Sequence, residues 1–112
     1  MKVRWTDTAQ AHLHAIHSYI AQDSPAFAKR TVDRLTRRSQ QIAKFPFSGR
    51  RVPEYDIEPI REVIEGSYRL VYHIEADQID VIALIHAARN ILSGPEREDD
   101  QAEPVGAPDA EE

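Results

Sequence analysis

A chain of 112 residues, 41% hydrophobic and 29% charged, has the length of one domain with a single modest core. It has no cysteine, no apolar run of membrane-spanning length and no secretory hydrophobic region at its start, which excludes disulfides and thiolate metal sites and makes the cytoplasm the expected compartment. The formal net charge of −5 is unevenly spread: Glu96 to Glu112 holds eight acids and one base, whereas Met1 to Pro95 holds thirteen bases and eleven acids.

In chain order, Lys2 to Trp5 is short and β-prone, and Thr6 and Asp7 then offer helix-capping oxygens. Ala9, Leu13, Ile16 and Ile20 follow at spacings of four, three and four, which predicts a helix with one apolar face through about Ala21. Ser24-Pro25 restarts the pattern, with Ser24 as the cap and Pro25 at the first helical position. Ala28, Val32, Leu35, Ser39 and Ile42 mark the buried stripe of a second, longer helix. The short link between the two predicts an antiparallel helical hairpin.

From Pro25 to Arg51 the only acid is Asp33, against Lys29, Arg30, Arg34, Arg37, Arg38, Lys44, Arg50 and Arg51. This basic arc suits an acidic protein surface or a phosphate backbone. It is also what a solvated helix face looks like, and no interleaved aromatics support base stacking.

Phe45 to Pro53, broken by Pro46, Gly49 and Pro53, reads as an ordered loop, and Glu58 to Glu65 as a strand turned by Gly66-Ser67. Tyr68 to Ile74 alternates strictly: Tyr68, Leu70, Tyr72 and Ile74 share one face, and Arg69, Val71 and His73 the other. Ile79 to His86 is apolar on nearly every position, with Ile79, Val81, Ala83 and Ile85 expected on one side and Ile82 and Leu84 on the other. Such a strand belongs inside its sheet. The order is β-α-α-β-β-β, an α+β arrangement with a helical hairpin packed on one face of an antiparallel sheet. The opposite face, with Arg69, His73 and Arg61, has nothing left in the chain to cover it. It is the natural place for a partner or substrate. Met1 to Pro95 is expected to form the domain and Glu96 to Glu112 an acidic disordered tail.

Several short runs in order resemble the RelE/ParE superfamily of type II toxin–antitoxin toxins. They are Phe45-Pro46-Phe47-Ser48-Gly49-Arg50 with Val52-Pro53-Glu54, then Ile60-Arg61-Glu62, Gly66-Ser67-Tyr68-Arg69-Leu70-Val71-Tyr72 and His86-Ala87-Ala88-Arg89. Trp5 to Leu13 and Tyr19-Ile20-Ala21 extend the likeness over roughly Lys2 to Leu92. The ParE-like branch is the closer match. That resemblance implies growth inhibition by binding DNA gyrase, a role in plasmid stabilisation, and neutralisation by a cognate antitoxin that alone reads operator DNA, with no cofactor.

The RelE-like branch instead cleaves messenger RNA on the ribosome, by attack of the RNA 2′-hydroxyl on its own phosphate. The lysine-rich stretch and late catalytic tyrosine or histidine of that branch are not evident. No lysine lies between Arg51 and Glu112, and the last tyrosine is Tyr72. A ribosome-dependent endoribonuclease is the alternative reading, and a non-toxic autoregulatory partner of an antitoxin the third.

The candidate partner-binding residues are Arg61, Arg69, His73, His86 and Arg89; a ribonuclease would use Arg69, His86 and Arg89. A guanidinium at Arg69 presents a fork of donors to a phosphate or acidic side chain, or else makes a cross-strand ion pair with Glu62 or Asp80. His86 suits general acid–base work beside Arg89, or else simply ends a buried strand. His12, His14 and His17 have neither the spacing nor the neighbours of a metal site.

Overall fold

In the computed structural model, which describes residues 1–55 and 57–88, strand β1 (Lys2–Trp5) leads into helix α1 (Asp7–Ala21) through Thr6. The Thr6 hydroxyl accepts a hydrogen bond from the Ala9 N–H at 3.1 Å, satisfying a donor that every helix start leaves unpaired. Ser24 does the same for α2 (Pro25–Lys44), accepting from Phe27 N–H, with Pro25 in the first turn. The stripe Ala28, Thr31, Leu35, Ser39 and Ile42 of α2 is buried, and Ala9, Leu13 and Ile16 of α1 pack into the same core. The two hydroxyls in that stripe are satisfied within the helix, Thr31 donating to the Phe27 carbonyl and Ser39 to that of Thr36.

The helices lie on a five-stranded sheet of order β1-β5-β4-β3-β2, where β2 is Arg50–Arg51, β3 Ile60–Glu65, β4 Tyr68–Ile74 and β5 Gln78–His86. The expected hairpins are there: β3 pairs antiparallel with β4, and β4 with β5. β1 joins β5 in parallel, Val3 opposite Ile79 and Trp5 opposite Val81. A parallel neighbour requires a long crossover, and the rest of the chain between them provides it. β2 is an addition within the stretch expected to be loop, preceded by one 3-10 turn at Pro46–Ser48. Gly66 turns β3 into β4 with φ of 60°, a left-handed conformation that glycine adopts without the usual Cβ penalty.

Two expectations about the sheet are corrected. A bulge falls opposite Val71 and Tyr72: Val71 faces Ala83, but Tyr72 faces Val81, so Ile82 is the inserted residue. The insertion reverses the alternation of β5. Ile79, Val81 and Leu84 therefore face the helices, while Ala83 and Ile85 face away. The second correction concerns the far face, which is not an open polar surface. Val52, Val71 and Ile85 form a small second core there, flanked by Ile60, Ile82 and Ala83, with Val52 supplied by the segment after β2. The tail expected at Glu96–Glu112, and Arg89, lie outside the described residues.

Candidate functional site

Arg69 projects from the middle of the sheet onto the far face, and its side chain is only 7% exposed. A guanidinium that deep is stable only if its donors are matched by acceptors. Nη1 and Nη2 donate to the two oxygens of Glu54 at 3.2 and 3.0 Å, and Nε donates to Glu62 Oε1 at 2.7 Å. The second oxygen of Glu62 accepts from Arg50 Nε, so two carboxylates and two guanidiniums balance in charge. Arg69 holds the Glu54 carboxyl below its ordinary value of 4.5, against the opposing effect of burial. Glu54 comes from the segment after β2, Glu62 from β3 and Arg69 from β4. The cluster therefore fastens that segment across the sheet.

Arg61 lies on the opposite face, since it pairs with Tyr72, whose ring is in the main core. Its Nη1 donates to the Gly49 carbonyl at 3.1 Å, its Nε to the Glu58 carbonyl at 3.1 Å and its Nη2 to the Glu58 carboxylate at 2.6 Å. The guanidinium also lies over Phe47, 5.0 Å from the ring centroid. Beneath it the Tyr72 hydroxyl donates to the Pro46 carbonyl at 2.6 Å and accepts from the Gly49 N–H at 3.1 Å. Burial pushes that hydroxyl above its ordinary value, which keeps the proton it donates. A Cβ at Gly49 would lie 2.5 Å from the Tyr72 hydroxyl and 2.6 Å from the Glu62 carbonyl, which is why a glycine stands there.

The remaining candidates are dispersed. His73 is on the far face, with Nδ1 2.6 Å from Glu75 Oε2. His86 ends β5 on the helical side, exposed, edge-on to Tyr68 with centroids 5.5 Å apart, and its Nδ1 accepts from Ala88 N–H. Arg69 and His86 thus leave the sheet from opposite faces and share no site; Arg89 lies outside the described residues. His12 accepts from the Leu84 N–H through Nδ1 at 3.2 Å, and burial lowers it from its ordinary 6.5, so it serves as a neutral acceptor. No group of three metal-ligating side chains converges among the described residues, and no described helix is long and apolar enough to cross a membrane.

Two surface features escaped sequence reasoning in part or whole. Ile20, Phe27, Thr31, Leu35, Tyr68 and His86 line a shallow groove between the helical hairpin and the ends of β4 and β5. Beside it, Arg34, Arg37, Arg38, Gln41 and Glu65 line an open cleft. The arginines were visible as a basic arc; their convergence on the end of β3 was not, because it depends on how α2 crosses the sheet. Each space is about 230 Å³, below the range of roughly 300–1,000 Å³ usual for small-molecule sites. These surfaces suit side chains of another segment better than a cofactor.

Residues 3–91 match the profile of a family described as the ParE toxin of type II toxin–antitoxin system, parDE. The chain is 34% identical to Toxin RelE2 of Caulobacter vibrioides over 89 residues, covering 79% of this chain and 97% of that one. It is 32% identical to a putative toxin, Y4kP, of Sinorhizobium fredii over 77% of this chain and 88% of the relative. Among solved structures, the fold resembles the chromosomal ParDE system of P. aeruginosa with a TM-score of 0.64 at 19% identity, over 77% of this chain and 95% of that one. The toxin–antitoxin complex RelBE2 of Mycobacterium tuberculosis follows at 0.52 and 20%, over 76% and 95%. With the helical hairpin, the sheet order and the match over most of the described chain all agreeing, this protein belongs to the ParE toxin family of type II toxin–antitoxin systems.

Proposed function

We propose that the chain is a toxin that stops growth by binding DNA gyrase through its surface, and that a cognate antitoxin segment covers that surface in the resting pair. The observation that carries this reading is the burial of Arg69. The arginine that the resemblance offers to a ribonuclease is enclosed by Glu54 and Glu62 and has no open side for a phosphate. Arg61 is likewise engaged by Glu58, Gly49 and Phe47. What the surface offers instead is an apolar groove beside an arginine cleft, suited to an amphipathic segment with acidic residues. The likeness to the ParDE and RelBE2 assemblies supports an antitoxin as that segment's source, with operator DNA contacted only through it.

One observation favours the ribonuclease reading: His86 is exposed, beside the Tyr68 ring and three residues before Arg89. Pulse-labelling of DNA and protein synthesis, minutes after inducing this chain alone, separates the two. Early loss of DNA synthesis, with filamentation, is expected. Early loss of protein synthesis would overturn the gyrase reading and make His86 the first residue to replace.

A further inference from the structure

The arginine cleft is short of anions. Arg38 reaches Glu65 only at 3.8 Å, and its Nε is buried without a hydrogen-bond partner among the described residues. Arg34 and Arg37 have no ion pair or hydrogen bond among the described residues. Three guanidiniums against one carboxylate leave a concentrated positive patch on a chain whose overall charge is negative.

The chain leaves the described fold next to this patch. Glu65 pairs with Tyr68, and Tyr68 with His86, so the three lie in a row across neighbouring strands. Two strand spacings, about 10 Å, separate Glu65 from His86. Ala87 N–H donates to the Ser67 carbonyl at 2.7 Å, which fixes the exit beside the groove. Seven residues, 89–95, then precede Glu96; fully extended they reach about 23 Å, more than the distance to be crossed. The segment that follows carries eight acids and one base, and it lies beyond the family match, which ends at residue 91.

We propose that the acidic segment Glu96–Glu112 seats on the cleft formed by Arg34, Arg37 and Arg38 and masks it from other anions, as a tethered competitor for any acidic partner of that surface. Tethering supplies a high local concentration, so weak solvent-exposed pairs are enough to occupy the cleft. The seating is correspondingly sensitive to salt. It goes beyond the gyrase reading and does not depend on which target the toxin has.

The 112-residue chain contains no cysteine, so Ala102→Cys gives it a single position for a nitroxide label. Selective loss of amide signal at Arg34, Arg37, Arg38 and Gln41 is expected in low salt, with recovery at about 0.5 M salt as screening shortens. The same recovery is expected in Arg34→Gln/Arg37→Gln, and in Glu98→Gln/Asp99→Asn/Asp100→Asn, whose changes lie outside the described fold. Signal loss spread evenly over the protein, loss centred on Arg50 and Arg51 instead, or loss that persists in both variants would overturn the proposal.

Discussion

Arg69 illustrates how burial decides what a charged residue can do. An exposed arginine on a sheet face gains little from an ion pair and remains available to a ligand. At 7% exposure, with Glu62 fully buried beside it, each charge depends on the others. Arg69→Ala would leave buried Glu54 unmatched and Glu62 with Arg50 alone, and a loss of about 3–5 kcal/mol is expected in urea unfolding. Any loss of toxicity in Arg69 variants should then track the loss of folded protein. A variant that keeps its unfolding midpoint while losing toxicity would point instead to a direct functional contact.

Tyr72 makes a second such test. Its hydroxyl is both donor to Pro46 and acceptor from Gly49, and Tyr72→Phe leaves both backbone groups without that partner. A destabilisation of about 1–3 kcal/mol is expected. A change near zero would mean that water replaces the hydroxyl at the mouth of the 3-10 turn.

At the scale of elements, α1 is tied to β5 through one imidazole. β1 pairs with β5 only as far as Val81, so the Leu84 N–H beyond it has no strand partner on that side and donates to His12 instead. The acceptor must be the neutral ring. Because the folded state lowers the His12 pKa below 6.5, the unfolded chain binds the proton first as the medium is acidified. The contribution is therefore complete above about pH 6.5 and is lost as the pH falls through the lowered folded value. His12→Asn, whose side-chain carbonyl can accept from the same N–H, should flatten the melting temperature between pH 7 and the acid limb. An unchanged slope would show that another group titrates there. Glu54 belongs to a separate window: its folded value is depressed below 4.5, so its contribution is present above that value and is lost only at lower pH.

The same scale shows what was legible in the chain. Both helices and their caps were readable, because Thr6, Ser24 and Pro25 act on backbone groups a few residues away. The strict alternation of Tyr68–Ile74 gave β4 its faces correctly. β5 was not readable to the same depth: an inserted Ile82 changes the phase of the strand, and an apolar residue leaves no mark of that in an apolar run. β2 is two residues long, too short for any period. Glu62 was a foreseeable partner of Arg69, since both lie on adjacent strands. Glu54 was not, because its approach depends on the packing of Val52 beneath the sheet. Arg61 was assigned to the wrong face because the register of β3 against β4 is set by the turn at Gly66, not by its own neighbours in sequence.

Across the molecule as a whole, the arginines divide into two groups. Arg61 and Arg69 hold the segment between β2 and β3 through Glu58 and Glu54, and Arg50 joins β2 to Glu62 of β3, whereas Arg34, Arg37 and Arg38 line a cleft on the helical side. The sheet arginines Arg61 and Arg69 are engaged by acceptors of their own chain, while the surface keeps a basic cleft and an apolar groove. The proposed gyrase target is open to direct measurement with purified components. Supercoiling of relaxed plasmid by gyrase, with this protein added alone, should fall as its concentration rises, and messenger RNA on translating ribosomes should stay intact. Undiminished supercoiling together with cleaved messenger RNA would contradict the central claim and return the toxin to the ribosome.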